Sequence, residues 1–96
     1  MQTTPPQSFE DFTAISMDEG FDEVLVREWT PSLVIDTHTH PFDVSAWVVR
    51  GEFKLTLGEK DIHLKAGDPF RLARDIPHAE HYGPEGATVW VARANP

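Results

Sequence analysis

Between Val24 and Arg93 the chain never runs far without a turn signal, and this punctuation excludes most folds. Gly51 separates two apolar, β-rich runs at residues 46–49 and 53–57, Gly58 ends the second, and Ala66-Gly67-Asp68-Pro69 forms a further turn cluster. Gly51 is expected in a turn that needs positive φ, and Pro69 at the start of a strand, where its missing N–H costs no ladder bond. β-branched and aromatic residues between these breaks predict short strands at residues 24–29, 33–38, 44–49, 53–57, 61–64, 70–72, 78–82 and 87–93. No repeat, low-complexity tract or long amphipathic helix interrupts them. Eight short strands in about 70 residues imply an all-β domain of closed or sandwich-like architecture.

Within this pattern lie His38-Thr39-His40 and, forty residues on, Ile76-Pro77-His78. Strand side chains alternate, so two histidines at i, i+2 share a face, and a third imidazole from a distant strand can close a site between them. Imidazole suits zinc, copper, iron and nickel, and three protein ligands leave positions open for water or a substrate.

The segment from His38 to Phe53 resembles the first motif of the cupin family: HxH, three or four residues, a glutamate, six residues and a glycine, here Gly51. Gly67-Asp68 leading to Pro77-His78 resembles the second. With the flanking strands the resemblance covers roughly residues 24–93. It implies a small antiparallel β-barrel or jelly roll, the double-stranded β-helix, with His38, His40 and His78 holding one divalent metal ion per subunit: iron, manganese, nickel or zinc.

Two departures stand out. Seven residues before Gly51, where the motif has its glutamate, this chain has Val44. Asp43 is adjacent but points to the other face of a strand, and reaches the site only through a bulge or loop. Three-histidine sites without the glutamate are known among iron-dependent cupin dioxygenases, so the loss is compatible with a metal. It leaves the ion's charge uncompensated and favours anionic ligands there. The second motif lacks its customary Pro-x-Gly and has Ala73-Arg74-Asp75 instead, which leaves that loop's shape open.

Other residues carry alternatives. Glu80 and Tyr82 share the strand parity of His78; an inward Glu80 is a compensating ligand, a general base or a rim residue, and Tyr82 either orients a ligand or fills the barrel. Both are candidate catalytic residues. Trp47, Arg71 and Tyr82 are candidate substrate contacts, although Trp47, Trp90, Phe53 and Phe70 also suit a core, and Arg71 and Arg74 an ordinary solvated face. His63 and His81 have the wrong parity and are expected outside.

With 96 residues, the chain is long enough for one domain with little core to spare. Residues 1–20 read as a flexible or partner-contacting arm, with a helical turn or irregular segment over residues 9–20, and residues 21–96 as the barrel. Phe9, Phe12 and Ile15 in the arm, with Phe21 directly after it, must cover their own barrel or a neighbour's, which suggests a homodimer. Sixteen acidic against eight basic residues give a charge of −8 with scattered cations, which argues against nucleic acid. There is no cysteine, no apolar run near the roughly 20 residues of a membrane span and no signal-peptide core, so a cytoplasmic location is expected. The function expected is that of a stand-alone metal-binding cupin handling a small molecule, with oxygenase- or lyase-type chemistry within reach. The alternatives are a non-catalytic sensing module akin to the effector domains of arabinose-type regulators, its DNA-reading helices on another chain, or a metal-free binding barrel.

Overall fold

A computed structural model describes residues 5–96; the lead-in expected at residues 1–4 lies outside the described residues. One helix, α1 (Phe9–Asp18), precedes six strands: β1 (Glu23–Trp29), β2 (Val34–His38), β3 (Asp43–Leu57), β4 (Lys60–Lys65), β5 (Pro69–Leu72) and β6 (His78–Ala94). All pairings are antiparallel. No helix among the described residues is long and apolar enough to cross a membrane.

The two longest strands organise the molecule. β3 and β6 pair along most of their length, and each changes its other partner part-way: β3 pairs with β5 and then β4, β6 with β2 and then β1. The result is two four-stranded halves, β1-β6-β3-β5 and β2-β6-β3-β4, sharing the bent β3–β6 ribbon. Side chains from both halves, among them Val44, Val48, Phe53, Leu55, Tyr82 and Val89, form one buried cluster. The all-β jelly-roll expectation therefore holds.

The expected strand count of eight becomes six, because residues 44–49 and 53–57 belong to one strand, as do residues 78–82 and 87–93. Gly51 does take positive φ (79°), but as an irregularity inside β3 rather than in a turn: register shifts flank it on both sides. A Cβ there would lie 2.0 Å from the Gly86 carbonyl oxygen. Absence of a side chain lets the two long strands cross closely where they bend. Pro69 begins β5, as its missing donor requires.

Residues 9–18 form a regular ten-residue helix, the helical of the two alternatives and longer than the single turn expected. Ser8 caps it, its Oγ accepting from the Asp11 N–H at 3.0 Å, and Glu10 and Asp11 in the first turn complement the helix dipole. Phe9 and Phe12 pack on Trp90, each with ring centroids 6.0 Å away. Trp90 alternates with the inward Val89 and Val91, so α1 covers the outer face of the β1-β6-β3-β5 half. Phe21 lies under the Arg71 guanidinium of β5 at 5.7 Å, so three of those four hydrophobes meet their own barrel.

Candidate metal centre

β2 ends and β6 begins at one point of the sheet, where His38 and His78 are cross-strand partners. Their ring centroids are 4.3 Å apart. His40 lies two residues beyond β2, in a loop whose position is fixed when the Asp75 N–H donates to the His40 carbonyl at 2.9 Å. Its ring is 4.9 Å from that of His78 and 6.1 Å from that of His38, and it stacks on Phe42 at 4.2 Å. Asp75 makes this bridge in the left-handed region, φ 63°, at the place of the missing motif glycine; aspartate is among the few other residues that tolerate it.

Each of the three imidazoles is oriented by a backbone carbonyl. Nδ1 of His38 meets the Asp36 oxygen at 2.9 Å, Nδ1 of His78 the Ile76 oxygen at 2.9 Å, and Nδ1 of His40 the Phe42 oxygen at 3.2 Å. A carbonyl only accepts, so each Nδ1 carries the proton and each neutral ring keeps its lone pair on Nε2. Such carbonyl anchoring is how ligating histidines are usually held.

Glu80 completes the group. Its Oε2 lies 3.8 Å from Nε2 of His38 and 4.0 Å from Nε2 of His78, and Oε1 accepts a 2.5 Å hydrogen bond from the Tyr82 hydroxyl. His38, His78 and Glu80 together could hold a metal ion, with ligand atoms within 4.8 Å of one another. His40 stands outside that tightest group, and strand parity with His78 is the sequence signal that places Glu80 within it. Tyr82 is buried between Trp29 and Phe53, stacked on both at 5.1 and 4.9 Å. Burial and the neighbouring Glu80 carboxylate push its hydroxyl well above the ordinary tyrosine range, so it holds its proton and positions Glu80.

These residues line a cavity of 190 Å³ between the two halves of the barrel, walled by Val44, Leu55, Phe70, Leu72 and Val89. Val44 faces this space where the motif's glutamate would. Asp43 is no substitute: it faces Arg74, accepting from its backbone N–H at 2.8 Å and its guanidinium at 3.2 Å, and this holds its carboxyl below the usual range. Burial holds His40 below its ordinary 6.5, against the pull of the Phe42 carbonyl, and His78, His38 and Arg93 push the same way.

Trp47 and Arg71 are not at this cavity. Strand alternation turns both away from the inward Ala46 and Leu72, toward a hollow beneath α1, where Arg71 Nη2 binds both carboxylate oxygens of Glu19 at 2.9 Å. His63 and His81 are exposed and flank Lys54 across neighbouring strands on the outer surface. Arg27, Trp29, Phe42 and Arg93 line the cavity and were not anticipated. The alternation Val89, Val91, Arg93 was the available signal, since it continues an inward row.

No protein-family model matches the chain. Solved structures do: an uncharacterised conserved protein with a double-stranded β-helix domain from Klebsiella pneumoniae matches at 29% identity and a TM-score of 0.61, over 76% of this chain and 65% of that one. A cupin protein from Bacteroides fragilis matches at 17% identity and a TM-score of 0.63, over 75% and 64%. The chain thus has the fold of a small cupin-type domain. A DMSP lyase shares this cupin fold at 25% identity and a TM-score of 0.68, over 75% of this chain and 37% of that one. Among curated proteins, an uncharacterised HTH-type transcriptional regulator of Haemophilus influenzae is 51% identical over 35 residues, which is 36% of this chain and 12% of the regulator. This chain thus spans only a small part of that relative.

Proposed function

We propose that this cupin binds a divalent metal ion through His38, His78 and Glu80, with His40 as a further imidazole ligand, and handles a small molecule beside it. The observation that carries the reading is the shared orientation of the three histidines: every Nδ1 is occupied by a carbonyl, and two Nε2 atoms converge on one Glu80 oxygen. A mixed imidazole and carboxylate set suits iron, manganese, nickel or zinc. Such an ion, when bound, supplies Lewis acidity or oxygen activation. The chain's own residues do the rest. Tyr82 holds one Glu80 oxygen so that the other faces the histidines, and the apolar walls exclude water around a ligand the size of about six waters.

Similarity to a DMSP lyase supports a lyase-type activity on a small molecule over a purely structural barrel. A second reading, a non-catalytic sensing module, draws support from the short match to a transcriptional regulator. The two differ in outcome: an enzyme returns its ligand changed, a sensor returns it intact. A homodimer is part of the proposal, because Val26 and Val34 remain 46% and 59% exposed on the edge strands β1 and β2.

The test is elemental analysis of untagged protein purified without a nickel resin. About one ion per chain is expected in the wild type and none in a His38→Ala/His78→Ala double variant. A folded double variant that keeps stoichiometric metal would place the ion elsewhere.

A further inference from the structure

The residue that replaces the family's glutamate has a telling neighbour. Val44 on β3 is the cross-strand partner of Arg93 on β6, and both line the histidine cavity. A glutamate at position 44 would have an arginine beside it and would pair with it; a valine leaves that guanidinium without a carboxylate from this position. The Arg93 Nε is buried and has no hydrogen-bond partner, and Nη1 reaches Glu23 only at 3.5 Å. A buried N–H of a charged group without an acceptor is costly, and its usual resolution is a ligand or an ordered water.

The guanidinium is also held in place. Its central carbon lies 4.6 Å from the centre of the Phe42 ring, which stacks in turn on His40. On β1, opposite Val89 of the inward β6 row, Arg27 stacks over Trp29 at 4.5 Å and lines the same cavity. Two guanidinium groups and three imidazoles thus face a single carboxylate, Glu80, inside a molecule whose formal net charge is −8. Its two guanidinium groups make this cavity suited to an anion inside an acidic protein.

We propose that the small molecule handled here is a carboxylate that binds through Arg93, its charge replacing that of the glutamate side chain absent at Val44. The inference rests on the metal reading above for the neighbouring ion and on Arg93 for the anion. A planar carboxylate matches the fork of one arginine with two parallel hydrogen bonds, and a 190 Å³ cavity with apolar walls has room for a short-chain acid. A phosphate, with more charge and oxygens pointing in three directions, finds too few donors around Arg93.

Calorimetric titration of succinate, its neutral isostere succinamide and inorganic phosphate into zinc-loaded and metal-free protein tests this. Succinate should bind and succinamide should not. Arg93→Gln should weaken succinate at least about tenfold, the loss of a charge-assisted hydrogen-bond pair, while metal stoichiometry is unchanged. Arg93→Lys should fall between. Val44→Glu, which leaves every existing contact of Arg93 in place and supplies a rival carboxylate, should weaken succinate as much as Arg93→Gln and tighten metal binding. Succinamide binding as well as succinate, phosphate binding more tightly, or an Arg93→Gln variant with wild-type succinate affinity would each overturn the proposal. The metal-free arm separates the two readings: if the wild type takes up no metal but still binds succinate in an Arg93-dependent way, the metal reading fails and the carboxylate site stands.

Discussion

Tyr82 is sandwiched between Trp29 and Phe53, so its hydroxyl is directed at Glu80 and that contact fixes which carboxylate oxygen the histidines see. Tyr82→Phe should cost about 1–3 kcal/mol of stability, measured by urea unfolding, because a half-buried acceptor loses its donor. The same variant should weaken metal binding by about 10- to 100-fold, the usual effect of removing a ligand's support. Unchanged metal affinity would mean that Glu80 is not a ligand. His40 adds a pH dependence. Its folded pKa lies below 6.5, so as pH falls through 6.5 the unfolded chain takes up the proton first and the folded state is progressively disfavoured. The metal-free protein should therefore lose thermal stability as pH drops below 6.5, and His40→Gln should flatten that loss. At this scale the sequence was most legible where spacing and parity speak: the three histidines, the missing carboxylate at Val44 and the inward Glu80. Arg93 and Arg27 were hidden because their role depends on which strand lies beside them, and cross-strand register is a tertiary fact. Trp47 and Arg71 misled for the same reason, one position off the inward row.

The long β3–β6 ribbon depends on small residues where its strands bend. Gly51→Ala would drive a methyl into the Gly86 carbonyl and force an alanine to positive φ, a cost on the order of 3 kcal/mol or more visible as a large fall in melting temperature. A variant with wild-type stability would show that the ribbon can part at this point. Glycine as a breaker was readable in the sequence, but a break in alternation signals a turn and a bulge alike. Strand partners decide between them, which is why eight expected segments merged into six strands. Helix α1 was legible only as a segment of uncertain form, since its ten residues carry a weak apolar stripe and need Trp90 to define it. Phe12→Ala should cost about 3 kcal/mol and leave metal affinity unchanged, because α1 packs on the face of the sheet opposite the cavity.

For the whole molecule, the all-β class could be read from turn spacing and the roll from the two motifs, whereas assembly could not, because α1 settles on its own barrel and removes part of the reason for a partner. The remaining apolar edge surface at Val26 and Val34 predicts a dimer in sedimentation at micromolar concentration, and Val34→Lys should shift it to monomer without unfolding it. A wild type that sediments as a monomer would defeat the dimer. The proposed metal site is a single position in space. Crystals of the native protein, measured at the absorption edge of the metal found by elemental analysis, should show an anomalous peak about 2.0–2.2 Å from Nε2 of His38 and His78 and from a Glu80 oxygen. A peak on the outer surface beside His63 and His81, or none between His38, His78 and Glu80, would contradict it.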